Sequence, residues 1–146
     1  MDPKNEAMIR SAVTAMNGGD IAGYLSHFSS SCVRWIAGVD QPMSLAGVGE
    51  HLSELIGAFD PLRLDEELLI GDDRFVCARW QLRGTQVGAF MGMASHGNSI
   101  DVATCEIYEI ADDLVVQSWV YQDPGQMFIQ MAAGRTAGAE LVLRQI

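Results

Sequence analysis

Two carboxylates and a group of aromatic side chains carry most of the chemistry this sequence can offer. Asp123 stands inside WVYQDPGQMF, residues 119–128. Strand side chains alternate, so Trp119, Tyr121 and Asp123 are expected on one face and Val120 and Gln122 on the other. If the first set faces a pocket, a carboxylate beside two rings is placed to transfer protons. The same stretch fits a helix start. Asp123 is an N-cap residue type, Pro124 suits the first helical position, and Gln126 follows at the capping-box spacing. Proton transfer and capping both stand open for Asp123.

Glu106 lies in ATCEIYEIA, where alternation groups it with Thr104 and Tyr108 and separates it from Cys105 and Ile107. A glutamate among β-branched and aromatic neighbours holds its proton to higher pH and can donate it to a forming enolate oxygen. On a solvated strand face it would be an ordinary surface acid. Arg79 groups with Cys77 and Gln81, and its structural alternative is an ion pair with Glu106 or another acid. Phe90 and Met91, in GTQVGAFMG, either fill the core or cradle a flat hydrophobic ligand. That segment has no following lysine and leads into no helix, so it is not a phosphate loop. Trp35 is balanced between core and cavity lining.

The three histidines, His27, His51 and His96, have no Cys, Asp or Glu at ligand spacing, so no metal site is expected. His51 is placed on the outer face of its helix. Nothing in the sequence calls for a cofactor.

Those side chains need a scaffold, and 146 residues suffice for one compact domain, taken as 1–146. Nineteen acids against nine bases give a net charge of −10, and no basic cluster could neutralise a row of phosphates. Nucleic acid and anionic membrane are therefore poor partners. Cys32, Cys77 and Cys105 are odd in number and set among apolar residues, which suits reduced buried thiols. The polar start MDPKNE and the lack of a membrane-length apolar run point to a cytoplasmic protein.

Met8, Ile9, Val13 and Met16 recur at helical spacing until Gly18 and Gly19, which predicts a first helix. Asp20 can cap a second, IAGYLSHF. Cys32 to Ile36 reads as a strand, and GVGEHLSELIGAF as a third helix that Pro61 stops. The period then changes to strands: RLDEELLIG, RFVCARWQLRG, NSIDVATCEIYEIA and LVVQSWVYQ, an expected antiparallel meander. PGQMFIQMAAG makes a last helix. The tail RTAGAELVLRQI could cover the sheet or meet a second subunit. Helices followed by a curved antiparallel sheet predict an α+β fold with helices on one face and a cone-shaped cavity at the wide end.

NGGDIAGYLSHF, VRWIAG, GVGEHLSEL, ARWQLRGTQVGAFMGMASHGNSIDV and WVYQDPGQMFIQM, in that order, resemble the nuclear transport factor 2-like superfamily and its SnoaL-like polyketide cyclase branch. The resemblance implies that Asp123 is the acid/base of an aldol-type ring closure. It also implies that Glu106 matches the neutral acid of the superfamily's ketosteroid isomerases. The superfamily's epoxide hydrolases set an arginine between two aspartates. Arg79 could match it, but Gln81 and Tyr121 stand where the aspartates belong, which argues against epoxide opening.

The expected function is thus a cofactor-free cyclase or isomerase acting on a hydrophobic ketone-bearing molecule. Asp123 and Glu106 would move protons, and Trp119, Tyr121, Tyr108, Arg79, Trp35, Phe90 and Met91 would hold the substrate. The alternative is a non-catalytic domain that binds an apolar ligand or dimerises. In that alternative Val76, Ala78, Trp80 and Leu82 would be the self-association surface, and a homodimer is expected either way.

Overall fold

The computed structural model describes residues 1–135 and 143–145. Helix α1 spans Pro3–Asn17; the Asp2 carboxylate caps it by accepting from Lys4 N at 2.8 Å. Its Ile9, Ala12, Val13 and Met16 are buried along one stripe. Asp20 caps the short α2, Ile21–Leu25, accepting from Gly23 N at 2.8 Å. A Cβ on Gly23 would fall 2.2 Å from that same carboxylate, which would have to turn to make room for it. The second helix is shorter than expected, because Phe28 already begins strand β1, Phe28–Ile36.

Strand β2 is the two-residue Met43–Ser44, and Ser44 caps α3, Leu45–Ala58, through Gly47 N. Pro61 does not end that helix. Strand β3, Phe59–Gly71, starts directly after it and runs through the proline, which falls in a register shift between Phe59 and Leu62. An edge strand tolerates this because a missing N–H costs no ladder bond on its open side. Strands β4 (Phe75–Gln86), β5 (Ser99–Ala111) and β6 (Leu114–Gln122) complete the meander, and α4 covers Pro124–Ala133. Asp112 and Asp113, at φ of 53° and 60°, make the two-residue turn between β5 and β6.

The six strands lie in the order β2-β1-β6-β5-β4-β3 as an open, curved sheet. β3 to β6 are antiparallel neighbours, as expected. The sequence did not reveal that β1 joins β6 in parallel, with Arg34 beside Ser118 and Trp35 beside Trp119. α3 packs on β1 and β3, α1 on β3, and α4 on β5. The tail expectation covers residues 135–146, of which 136–142 and 146 lie outside the described residues.

Burial identifies the face that the helices cover. Val76, Ala78, Trp80 and Leu82 of β4 are all at most 4% exposed. They belong to the core, not to a self-association surface. Their cross-strand partners Val102, Thr104, Glu106 and Tyr108 share that inner face. Among the described residues, no helix is long and apolar enough to cross a membrane.

Candidate functional site

Pairing decides which side chains meet. Glu106 is opposite Val120, Tyr108 opposite Ser118 and Thr104 opposite Gln122, so these residues point inward. Trp119 is opposite Ile107 and Tyr121 opposite Cys105, which sets both rings on the outer face. Tyr121 is 51% exposed. The grouping of residues 119 and 121 on one face was right, but that face looks away from the helices. Trp35, the lateral neighbour of Trp119, is outside too. Asp123 is exposed and caps α4, accepting from Gln126 N at 3.2 Å.

Arg79 also lies outside. Its side chain is 55% exposed and pairs with Glu67 at 3.5 Å, not with Glu106. Met91 is 64% exposed at a positive φ, so it lines no interior wall. Phe90 is buried, its ring 5.6 Å from that of Phe59 and 6.1 Å from that of His51. His51 is therefore half-buried against the core, not on the outer face of α3.

On the inner face the structure gathers a polar cluster. Arg34 Nη2 donates to the Tyr24 hydroxyl at 2.5 Å and lies 3.3 Å from Glu106 Oε2; Arg34 Nε donates to Ser118 Oγ at 3.2 Å. The guanidinium carbon sits 5.6 Å from the Phe28 ring centre and 5.8 Å from that of Tyr24. Glu106 is 5% exposed and Arg34 8%. The ion-pair contact is not aligned as a hydrogen bond, leaving Glu106 Oε2 a buried acceptor with capacity to spare. Beside it, the Trp80 indole N–H approaches the Tyr108 hydroxyl without bonding geometry and is a spare donor.

Burial governs the ionisation of this cluster. It pushes Glu106 above the usual carboxylate range, against the pull of the Arg34 guanidinium and the Tyr108 hydroxyl. Burial alone would lower Arg34, but the Glu106 and Tyr24 oxygens outweigh it and hold the guanidinium firmly charged. Tyr24 is pushed up to about 12 by burial, and Tyr108 is raised well above its ordinary value for the same reason. Both phenols thus remain hydrogen-bond donors at neutral pH.

Burial, and then the charge on Arg34, lower His51 from its ordinary 6.5. The unfolded chain therefore binds the His51 proton more readily than the fold does. Stability contributed by neutral His51 is present above 6.5 and is lost as the pH falls from there toward the lower folded value. Thermal melts just below 6.5 should show a shallower loss in His51→Gln than in the parent. Identical slopes would place that loss elsewhere.

The sequence pointed to Glu106 and Tyr108 but missed Arg34, Tyr24 and Ser118. A signal was present in the alternation of CVRWI, which sets Arg34 on the same face as the apolar Cys32 and Ile36. Two clefts lie elsewhere. One, of about 440 Å³, is lined by residues such as Met16, Gly18, Ile56, Phe59 and Asp60; the other, of about 250 Å³, by residues such as Arg10, Asn17, Leu64 and Trp80. Neither is lined by Glu106, Arg34 or Asp123.

AclR of Streptomyces galilaeus, for which a hydroxylase role has been suggested, is 23% identical to this chain, with a TM-score of 0.80 over 87% of this chain and 94% of its own. A proposed SnoaL-like polyketide cyclase from Jannaschia sp. CCS1 is 17% identical, with a TM-score of 0.81 over 91% and 96%. IdmH of Streptomyces antibioticus, a proposed polyketide cyclase, is 19% identical, with a TM-score of 0.76 over 88% and 98%. At these identities the likeness shows the nuclear transport factor 2-like fold. No curated protein matches the chain. Residues 6–131, nearly the whole described fold, match the pattern of the SnoaL-like polyketide cyclases, and the chain belongs to that family.

Proposed function

We propose that this protein is a cyclase or isomerase-type enzyme that enolises a hydrophobic ketone without a cofactor. The observation carrying this reading is Glu106, a buried carboxyl with a spare oxygen on the helix-covered face, held by an obligate cation and flanked by two phenols. A protonated Glu106 can give its proton to an enolate oxygen as negative charge develops there. Arg34 supplies a fixed positive charge whose effect is large in a site that excludes water.

The second carboxylate in this proposal is Asp123. Gln122, the residue before it, pairs with Thr104, which stands two residues from Glu106, roughly 7 Å along β5. A substrate of one or two fused rings would span that interval, with its acidic carbon toward Asp123 and its carbonyl toward Glu106. Asp123 then serves as base at the rim and as the cap of α4. Asn caps as well as Asp but cannot take the proton; Ala does neither. Asp123→Asn should melt near the parent temperature yet lose α-proton exchange, while Asp123→Ala should also lose about 1 kcal/mol of stability. Parental exchange in Asp123→Asn would reduce Asp123 to a cap.

One observation favours the non-catalytic alternative: Glu106 is packed away and Asp123 faces outward. A domain that only holds an apolar ligand would bind a bicyclic aromatic ketone such as tetralone without speeding exchange of its α-protons. Proton NMR in deuterated water, with and without the protein, separates the two readings.

A further inference from the structure

Cys77 and Cys105 face outward on neighbouring strands β4 and β5, on the side of the sheet opposite the buried cluster. Cys77 pairs with Ile107 and Cys105 with Arg79, so the two cysteines are diagonal neighbours. Their Sγ atoms lie 3.7 Å apart. Both are free and half-buried. Ile70 flanks Cys77 on β3, and Tyr121 flanks Cys105 on β6. These walls hinder ionisation: burial raises Cys77 above the ordinary thiol value, and the neighbouring sulfur adds to the effect.

Diagonal positions in an antiparallel pair have Cα atoms about 7–8 Å apart. A disulfide needs roughly 4.4–6.8 Å. The backbone therefore holds these sulfurs off a direct bond while leaving them close enough to share one bridging atom. A soft acceptor is what such a pair of sulfur donors selects.

We propose that Cys77 and Cys105 form a two-sulfur chelating site on the outer sheet face for a trivalent arsenical. With an organoarsenical oxide, both S–H protons pass to the oxide oxygen, which leaves as water. Two As–S bonds replace the As=O bond, and arsenic stays trivalent, so no oxidant or reductant is consumed. Cys32 points to the inner face and is 4% exposed, which keeps it out of the chelate.

The test titrates the folded, full-length protein with phenylarsine oxide in a phosphine reductant and reads intact mass. The expected product is a single adduct per chain that has lost one water, survives a monothiol wash and is removed by dimercaptopropanol. Cys77→Ser and Cys105→Ser should each abolish the wash-resistant adduct, and Cys32→Ser should keep it. Alanine at the same positions serves if a serine variant fails to fold by circular dichroism. No adduct in the parent, or a wash-resistant adduct in either outer-face variant, overturns the proposal. So does a stable Cys77–Cys105 disulfide formed by diamide without loss of fold, since it would show the backbone gap to be within disulfide reach.

Discussion

Arg34→Met is expected to destabilise the protein by about 3–5 kcal/mol at neutral pH, the usual cost of stranding one member of a buried ion pair. Domains of this kind have roughly 5–15 kcal/mol in total, so the variant should be near its folding limit. The loss comes from the ionised fraction of Glu106, left without its counter-charge in a site that water barely reaches. It should therefore depend on pH in a particular direction. Burial raises the folded value of Glu106 above that of the unfolded chain, so between the two the fold binds more protons. Stability from this group falls as pH rises through that window and recovers as pH falls. Removing Arg34 widens the window upward. Urea melts of Arg34→Met should thus show the deficit shrinking at acid pH, and adding Glu106→Gln should recover part of it at neutral pH. A deficit that ignores pH, or a double variant no better than the single, would mean that lost packing on Tyr24 and Phe28 is the cause.

Under the proposed function, Glu106→Gln is expected to slow enolisation by roughly 100- to 10,000-fold, the contribution of one positioned proton-transfer group. The amide keeps the shape and can still offer an N–H to an oxygen, but it cannot deliver a proton. Deuterium uptake at the α-carbon of tetralone, followed by NMR on protein verified as folded, gives the rate. Tyr108→Phe should cost less, because it removes one donor near the oxygen and leaves the proton source intact. Exchange at the parental rate in Glu106→Gln would take the acid role away from this residue.

The fold was legible because its signals are local and redundant. Asp20 and Asp123 each cap a helix at the position their residue type signals, and all four meander strands show in the change of period. The cluster was only half legible. Alternation correctly tied Glu106 to Tyr108 and Trp119 to Tyr121, but it cannot say which face the helices will cover when both carry large apolar residues. Trp80 and Val76 on one side compete with Trp35, Ile107 and Trp119 on the other. The wrong face was chosen for Trp119, Tyr121, Arg79 and the supposed dimer surface for that one reason. Arg34 reached Glu106 through two facts absent from local sequence: β1 runs parallel to β6, and β6 lies between β1 and β5. The shift between Glu109 and Ile110 adds a third, since it lets Val115 and Ser118 both point inward despite odd spacing.

The account rests on Glu106 holding its proton beyond the range of an ordinary carboxylate while Arg34 stays charged next to it. Carbon NMR of protein labelled at the glutamate side-chain carboxyls, with Glu106→Gln to assign the resonance, measures this directly. The account predicts that Glu106 titrates above the other glutamates and moves higher still in Arg34→Met. A Glu106 resonance that titrates with or below the surface glutamates would contradict it.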